Sequence, residues 1–261
     1  MGPLRIDRDG DGVALLTLDL PARRNAMTEE LTAAWAAAMP ELAADDSVRC
    51  VVVTGAGAAF SAGGDLSWIE QGGTLDVPAL RDRMLPFYRT WLAIRDLPVP
   101  TIAALNGAAV GAGAALALAC DLRYATPEAR LSVPFTALGL HAGMATTWLL
   151  PEVAGLAVAR ELLFTGRAVA GTEAVTLGLV NRLFPAEAFL DDVLAVARQV
   201  ASRAPLATRL TKVALAGGGP ASLSAALAWE SVAQPVTMVT EDLREGLQAQ
   251  RERRAPRFTG R

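Results

Sequence analysis

The chain has 261 residues, of which 52% are hydrophobic and 20% are charged, and its formal net charge is -3. These proportions are ordinary for a globular protein, and they argue against a disordered chain or a disulfide-rich scaffold. The mild charge, with no long basic run before the C-terminal residues 251–254, gives no indication of a nucleic-acid-binding surface.

We expect a cytoplasmic protein without a membrane partner. Residues 1–10 carry charges and lack the apolar stretch of a secretory signal. The longest apolar stretch, 108–120, is interrupted by glycine, whereas a membrane span needs about 20 apolar residues. Cys50 and Cys120 lie beside apolar runs and are expected to be reduced core thiols. A chain with one histidine, His141, cannot build a zinc cluster of several histidines and cysteines.

Strands and helices alternate in the first part of the chain. A helix is predicted over 28–44, with Thr28 as its N-cap and two glutamates favourably placed in its first turn. Apolar, β-branched runs predict the strands, and the Ala-rich stretch between them predicts a buried helix. The strands are expected at 13–18, 50–54, 101–105, 122–125 and 131–133, and the buried helix at 111–119.

The second part of the chain is predicted to be mostly helical. One short strand is expected at 180–184, and Thr172 is expected to cap a helix over 173–177. The other helices are expected at 145–153, 157–164, 186–202, 205–216, 222–233 and 240–253. Strands alternating with helices, followed by a helical tail, indicate an α/β core and a C-terminal helical region. We place the core at 1–200 and the helical region at 201–261.

Two Gly-rich turns, each after an apolar run, carry the main chemical signal. Residues 60–65 read Phe-Ser-Ala-Gly-Gly-Asp, and residues 106–113 read Asn-Gly-Ala-Ala-Val-Gly-Ala-Gly. Two such turns can direct two backbone N–H groups at one oxygen, and loss of one such donor typically lowers a rate by about 10²–10³. The pattern suggests enolate chemistry on an acyl group. Glycines that only permit tight strand–helix packing are the alternative interpretation.

Other motifs are weaker. Residues 55–60 follow a strand but lack the third glycine of a dinucleotide-binding turn and open no helix, and there is no Walker lysine. Residues 59–63 resemble a nucleophile elbow without its first glycine. Asp121 and His141 follow Ser61 in the order of the hydrolase triad, so a serine hydrolase remains an alternative.

Taken together, the two turns resemble the crotonase (enoyl-CoA hydratase/isomerase) superfamily, and the resemblance covers nearly the whole chain. Similar segments lie at 18–27, 119–125, 134–140 and 245–258. The resemblance implies an α/β fold built as a spiral of ββα units, with a C-terminal helical region that joins subunits into a homotrimer or homohexamer. It also implies an acyl-CoA thioester as substrate, a place in fatty acid metabolism, and no cofactor other than the coenzyme A of the substrate.

The resemblance assigns candidate site residues. The backbone N–H groups of Ala62 and Ala112 are expected to hold the thioester oxygen. Arg23 and Arg24, and Arg253 or Arg254 from the tail, are candidate contacts for the phosphates of coenzyme A, although exposed arginines are more often solvated. Ser67 replaces a basic residue that is common among hydratases. The other implied substrate-binding residues are Ala26, Gly63, Gly64, Asp65, Leu66, Trp68, Gly111, Phe135 and Leu138.

The resemblance to hydratases breaks at two positions. Family hydratases use two glutamates, and the matching residues here are Ala115 and Phe135, neither of which can move a proton. Positioned acid–base catalysis contributes about 10²–10⁴ in rate. His141 is the candidate substitute, because histidine titrates near neutrality; a structurally bonded loop histidine is the alternative. Weaker candidates are Asp65, which is expected to brace its own turn, and Glu70, Asp76 and Asp82.

Three functions within the family therefore stay open. The first is a hydratase-like lyase with unusual acid–base groups. The second is a decarboxylase of a malonyl-type acyl-CoA, in which loss of carbon dioxide generates the enolate. The third is an acyl-CoA-binding protein without activity. Phe135 argues against double-bond migration, because isomerases of the family generally keep a carboxylate there. The pocket wall is expected to include Trp68, Phe87, Tyr88 and Trp148.

Overall fold

A computed structural model describes residues 2–65, 67–68, 70 and 74–261. The strands are β1 (Leu4–Arg8), β2 (Val13–Leu18), β3 (Cys50–Gly55), β4 (Ala59–Ser61), β5 (Thr101–Leu105), β6 (Ala108–Val110), β7 (Leu122–Ala125), β8 (Arg130–Ser132), β9 (Ala168–Ala170) and β10 (Arg182–Leu183). The α-helices are α1 (Glu29–Ala44), α2 (Val77–Leu92), α3 (Ala112–Ala119), α4 (Thr146–Thr165), α5 (Gly171–Thr176), α6 (Phe189–Ala201), α7 (Pro205–Leu215), α8 (Leu223–Met238) and α9 (Glu241–Glu252).

The strands form two sheets. The larger sheet has the order β1-β2-β3-β5-β7-β10, and its pairs are parallel except for β1 with β2. The smaller sheet has the order β4-β6-β8-β9, and only its β8–β9 pair is antiparallel. Along the chain, β3-β4-α2, β5-β6-α3 and β7-β8-α4 repeat one ββα unit that contributes one strand to each sheet.

Burial explains why these segments form a core. Every residue of β3 is buried, as expected for a parallel strand covered on both faces. Every residue of the Ala-rich helix α3 is also buried. The Thr28 side chain accepts a hydrogen bond from the Leu31 amide and so caps α1 as predicted. Trp35 of α1 stacks on Trp91 of α2, with ring centroids 4.8 Å apart.

The small sheet places the two Gly-rich turns side by side. Strands β4, β6 and β8 are parallel neighbours, so their C-terminal ends lie at one edge of the sheet, with neighbouring strands about 4.8 Å apart. The first turn follows β4, Gly111 and α3 follow β6, and Phe135 lies shortly after β8. Three segments that are distant in sequence therefore meet at this edge.

Most predicted elements are confirmed, but the structure also contains elements that the sequence interpretation did not predict, and one predicted helix cap was wrong. The sequence interpretation missed β1, α2 and the short strands β4, β6 and β9. The cap at Thr172 was wrong: α5 begins at Gly171 with Ala170 as N-cap, and no side chain caps it. The two helices predicted at 145–153 and 157–164 are confirmed as the two parts of α4, which the non-helical backbone of Gly155 separates.

The C-terminal helices contact the core through few polar bonds. Lys212 Nζ of α7 donates to the Val99 carbonyl oxygen at 2.8 Å and lies 2.9 Å from Asp121 Oδ2. The Arg49 side chain donates to the Phe258 carbonyl oxygen at 3.0 Å. No residue of α7, α8 or α9 belongs to the two buried apolar clusters of the described chain. The division of the chain at residue 200 stays a prediction.

Two further sequence predictions concern the interior. Cys50 and Cys120 are buried and free, as predicted. Desolvation by burial is the largest cause that raises the pKa of each thiol, to about 12, so both stay protonated at neutral pH. Within the described part of the chain, no helix is both long enough and apolar enough to cross a membrane.

Candidate active site

A cavity of about 430 Å³ opens at the edge where β4, β6 and β8 end. Its size is typical of a small-molecule site. The predicted site residues that line it are Ala62, Gly64, Trp68, Gly111, Ala112, Phe135, Leu138 and His141. The structure thus brings together the first turn, the start of α3 and the segment after β8.

The two turns touch, and glycine makes that contact possible. Gly63 has φ +84°, and a Cβ added there would lie 3.0 Å from the Ala112 nitrogen. A Cβ added to Gly113 would lie 2.5 Å from the Ser61 carbonyl oxygen. Only glycine combines a positive φ with such a close approach at little cost. The glycines therefore serve both the packing and the geometry of the cavity.

The amides of the first turn are not equally available. The Ala62 N–H donates to the Arg24 carbonyl oxygen at 2.8 Å, and the Gly63 N–H donates to Ser61 Oγ at 3.1 Å. Among the described residues, no acceptor pairs with the Gly64 N–H, and Gly64 lines the cavity. The prediction that Ala62 supplies the donor is wrong for this geometry, because its hydrogen already points at Arg24.

The second turn presents the start of a helix. Gly111 is the N-cap of α3, and Ala112 is its first residue. The first amides of a helix have no partner within the helix, and they carry the positive end of its dipole. Both Gly111 and Ala112 line the cavity. Ala112 therefore lines the cavity with an amide that has no partner within the helix, and its role as a donor to the thioester oxygen stays a prediction.

Asn25 braces the first turn, and the sequence interpretation missed this role. It is buried with φ 55°. Its Nδ2 donates to the carbonyl oxygens of Ala56 at 2.9 Å and Ala59 at 2.8 Å. The Asn25 carbonyl oxygen accepts from Ser61 Oγ at 2.8 Å. The sequence did contain a signal for this role. Asn25 follows two arginines and precedes a buried segment, and asparagine tolerates the left-handed backbone conformation that such a turn requires.

No carboxylate lines the cavity among the described residues. Ala115 is fully buried inside α3 and does not reach the cavity, whereas Phe135 does. The ionisable side chains on the wall are Arg83, Tyr88 and His141. The described part of the wall can therefore donate hydrogen bonds and carry positive charge, but it offers no carboxylate base.

The carboxylates named from the sequence have other roles or lie elsewhere. Asp65 Oδ1 accepts from the Ser67 amide at 3.1 Å and the Ser67 hydroxyl at 2.9 Å, so it braces its own turn as predicted. Asp76 caps α2 by accepting from the Ala79 amide at 2.9 Å. Glu70 and Asp82 do not line the cavity.

His141 lies on the exposed rim of the cavity. Its Nδ1 is 2.8 Å from the Ala142 carbonyl oxygen. A carbonyl can only accept, so Nδ1 carries the hydrogen, and Nε2 of the neutral ring holds the lone pair. This arrangement leaves Nε2 able to take a proton.

Aromatic side chains of α2 form the opposite wall. Phe87 stacks on Trp68, with ring centroids 5.3 Å apart, and lies 6.1 Å from Tyr88. The Tyr88 hydroxyl accepts a bond from the Met144 amide, while desolvation by burial raises the pKa of Tyr88, so the hydroxyl stays protonated at neutral pH. Trp148 is exposed and does not line the cavity, so its predicted place in the wall was wrong.

The family profile described as Enoyl-CoA hydratase/isomerase matches residues 8–261. The chain belongs to this family. It is 35% identical over 250 residues to the 1,2-epoxyphenylacetyl-CoA isomerase of Escherichia coli, covering 95% of both chains. It is 35% identical over 254 residues to human enoyl-CoA hydratase domain-containing protein 2, mitochondrial, covering 95% of this chain and 86% of that protein.

Solved structures of the family have the same fold. An enoyl-CoA hydratase from Bacillus anthracis superposes with a TM-score of 0.92 at 32% identity, covering 99% of this chain and 100% of that chain. A structure from Streptomyces coelicolor gives the same TM-score at 36% identity. The predicted crotonase-like α/β fold with C-terminal helices is therefore confirmed.

The serine hydrolase interpretation is wrong, because Ser61, Asp121 and His141 are not arranged as a catalytic triad. Ser61 is fully buried, and its hydroxyl donates to Asn25 and accepts from Gly63. Asp121 accepts from the amide and the hydroxyl of Thr101 and pairs with Lys212. Neither group contacts His141, so the three residues form no triad.

Seven of the predicted substrate-binding or phosphate-binding residues that the structure describes lie off the cavity wall: Arg23, Arg24, Ala26, Gly63, Asp65, Arg253 and Arg254. Arg23 is exposed and pairs with Asp65 at 2.7 Å, and Arg24 is exposed beside it. Ala26 and Gly63, the latter within the first turn, are buried. Arg254 is held by Glu245 and Glu252. The remaining predicted residue, Leu66, lies outside the described residues.

Proposed function

We propose that this chain is an acyl-CoA-dependent enzyme that stabilises a thioester enolate between the amides of Gly64 and Ala112. The observation that carries the proposal is the convergence of the unpaired Gly64 amide and the N-terminus of α3 on one cavity. A thioester carbonyl oxygen placed there accepts two hydrogen bonds, and these strengthen as negative charge develops on it. The family membership supports an acyl-CoA as the ligand.

We propose that His141 and Tyr88 perform the proton transfers of a hydratase-like reaction. The free Nε2 of His141 takes a proton from water as the oxygen adds to the β carbon of an enoyl thioester. The electron pair of the double bond moves to the thioester oxygen as the enolate. The α carbon then takes the proton back from the imidazolium, either directly or through the Tyr88 hydroxyl, which the imidazolium reprotonates. Positioned acid–base catalysis of this kind is worth about 10²–10⁴. The reaction needs no cofactor beyond the coenzyme A of the substrate.

Decarboxylation of a malonyl-type acyl-CoA is the second candidate. The wall carries Arg83 and His141 and, among the described residues, no carboxylate, which suits an acyl group with negative charge. Loss of carbon dioxide leaves its electron pair on the α carbon, and the same two amides stabilise the resulting enolate. One proton added to the α carbon completes this reaction.

We further propose that the enzyme assembles as a homotrimer or homohexamer in the cytoplasm. Helix α8 has no buried residue in the single chain, although it carries Leu227, Val232 and Val236. Apolar side chains exposed on one element support association with another subunit. Light scattering of the purified protein tests the assembly.

Mass spectrometry of products distinguishes these functions. The protein is incubated separately with crotonyl-CoA and with malonyl-CoA, beside no-enzyme controls. A gain of one water on crotonyl-CoA supports the hydratase-like reaction, and a loss of carbon dioxide from malonyl-CoA supports decarboxylation. If neither substrate changes but both bind in a calorimeter, the chain is an acyl-CoA-binding protein and the proposed catalysis is wrong.

A further inference from the structure

Arg83 interrupts an otherwise apolar face of α2. The residues of α2 that line the cavity are Leu80, Arg83, Met84, Phe87 and Tyr88. Their spacing of three and four residues places them on one face of the helix. An arginine at a position facing a pocket on an apolar stripe is unusual, because a charged group must be solvated or paired there.

The hydrogen-bond donors of Arg83 are largely unused. Its side chain is 26% exposed, and its one ionic neighbour is Glu29 at 3.7 Å, which is itself 84% exposed. A pair of this kind contributes little. Among the described residues, the Arg83 guanidinium makes no hydrogen bond. Among the described residues, the guanidinium of this cavity-lining arginine therefore has N–H groups without a protein acceptor.

Trp68 holds the guanidinium in place. The Arg83 Cζ lies 4.3 Å from the centroid of the Trp68 ring, and Trp68 stacks on Phe87. An arginine stacked on an aromatic face keeps the N–H groups at its edge free for a planar acceptor. A carboxylate is the acceptor that matches this fork of donors.

We infer that Arg83 selects acyl-CoA substrates whose acyl group carries a carboxylate at its far end. This inference rests on the proposed function. A carboxylate pairs with Arg83, whereas a plain alkyl chain displaces water from the guanidinium and leaves its donors without acceptors. An unpaired buried donor is costly, and a hydrogen bond to a charged group is among the strong ones. The wall therefore favours the charged acyl group and disfavours the neutral one.

The test compares two acyl groups of equal length by calorimetry. Glutaryl-CoA and pentanoyl-CoA differ in their terminal carboxylate, and free coenzyme A serves as the reference ligand. The wild-type protein is expected to bind glutaryl-CoA about tenfold to a hundredfold more tightly than pentanoyl-CoA. Arg83→Met is expected to abolish this preference while pentanoyl-CoA binds as well as before or more tightly. Arg83→Lys is expected to keep part of the preference, because it keeps the charge without the fork.

Arg81→Met is the matched control, because Arg81 lies on the exposed face of the same helix. It is expected to keep the wild-type preference. Equal binding of the two acyl-CoAs by the wild type, or a preference retained in Arg83→Met, overturns the inference and leaves the proposed function standing. An equal loss for both ligands in Arg83→Met also overturns it, since Arg83 would then contact the coenzyme. If the wild type binds neither acyl-CoA, the proposed function fails and the inference fails with it.

Discussion

The cavity has two walls of different character. The main-chain wall, which consists of Ala62, Gly64 and residues 110–112, offers backbone amides from turns that are braced by buried hydrogen bonds. The side-chain wall, α2 and residues 135–144, offers Arg83, Tyr88 and His141, which are half-buried or exposed. The first wall consists of glycine, alanine and one valine, Val110, and the second consists of large, varied side chains.

This difference separates two tasks. A backbone donor is fixed by the fold, so the main-chain wall suits the step that every enolate reaction shares, the stabilisation of charge on the thioester oxygen. A side chain can change without moving the backbone, so the side-chain wall suits proton transfer and the choice of acyl group. Substitutions in the main-chain wall should therefore have the larger effects.

Ala112→Pro should cause the largest loss. Ala112 is the first residue of α3, a position where proline is well tolerated because its amide has no partner within the helix. The variant loses one donor to the thioester oxygen, and turnover is expected to fall by about 10²–10³. Steady-state kinetics on the substrate found by mass spectrometry measure this, with thermal unfolding to show that the fold is kept.

Ala112→Gly is the control for that variant, because it keeps the amide and removes only a methyl group. Its turnover is expected to stay within a few-fold of the wild type, since its donor is unchanged. A proline variant that folds and turns over like the wild type would show that the Ala112 amide takes no part in catalysis.

His141→Gln should cause the next largest loss. Glutamine can still form hydrogen bonds, but it cannot exchange a proton, so hydration is expected to fall by about 10². Decarboxylation is expected to change less, because loss of carbon dioxide requires no base. Rates of both reactions in the same preparation measure the contrast. Unchanged hydration would mean that His141 is a structural loop residue.

Gly113→Ala should lower the stability of the folded protein. The added methyl group would lie 2.5 Å from the Ser61 carbonyl oxygen, so α3 must move away from β4, and we expect a loss of about 2 kcal/mol of unfolding free energy. Gly246→Ala is the control, since its Cβ would meet Phe258 only at 3.5 Å within α9. Urea unfolding of both variants checks this; equal midpoints would show that the contact between the turns is loose.

The sequence predicted those parts of the fold that depend on local pattern. Buried β-branched runs identified β2, β3 and β5, and Thr28 identified the start of α1. The strands β4, β6 and β9 have three residues each, too few to show an alternation. Helix α2 was missed although its cavity face has helical spacing, because arginine and proline residues interrupt its hydrophobic pattern.

For the site, the sequence predicted the two turns but not which amide is free. Ala62, Gly63 and Gly64 are adjacent, and only the contacts with Arg24 and Ser61 show that the first two amides are engaged. Arg83 could not be recognised as a wall residue, since its position depends on how α2 packs against the turns. The identity of the free amide and the position of Arg83 both depend on contacts between segments distant in sequence, which local sequence patterns do not predict.

Asp65→Asn should have the smallest effect, and it tests the bracing of the first turn. Burial opposes ionisation of Asp65, but bonds from Ser67 and Arg23 outweigh it and lower the pKa of Asp65 in the folded state. Its contribution to stability is therefore complete above the ordinary aspartate pKa of about 4 and is lost as the pH falls through the lower folded value. Urea unfolding should show a variant less stable by up to about 1 kcal/mol at pH 7, with a smaller difference at low pH. A difference that grows on acidification would contradict a stabilising ionised Asp65.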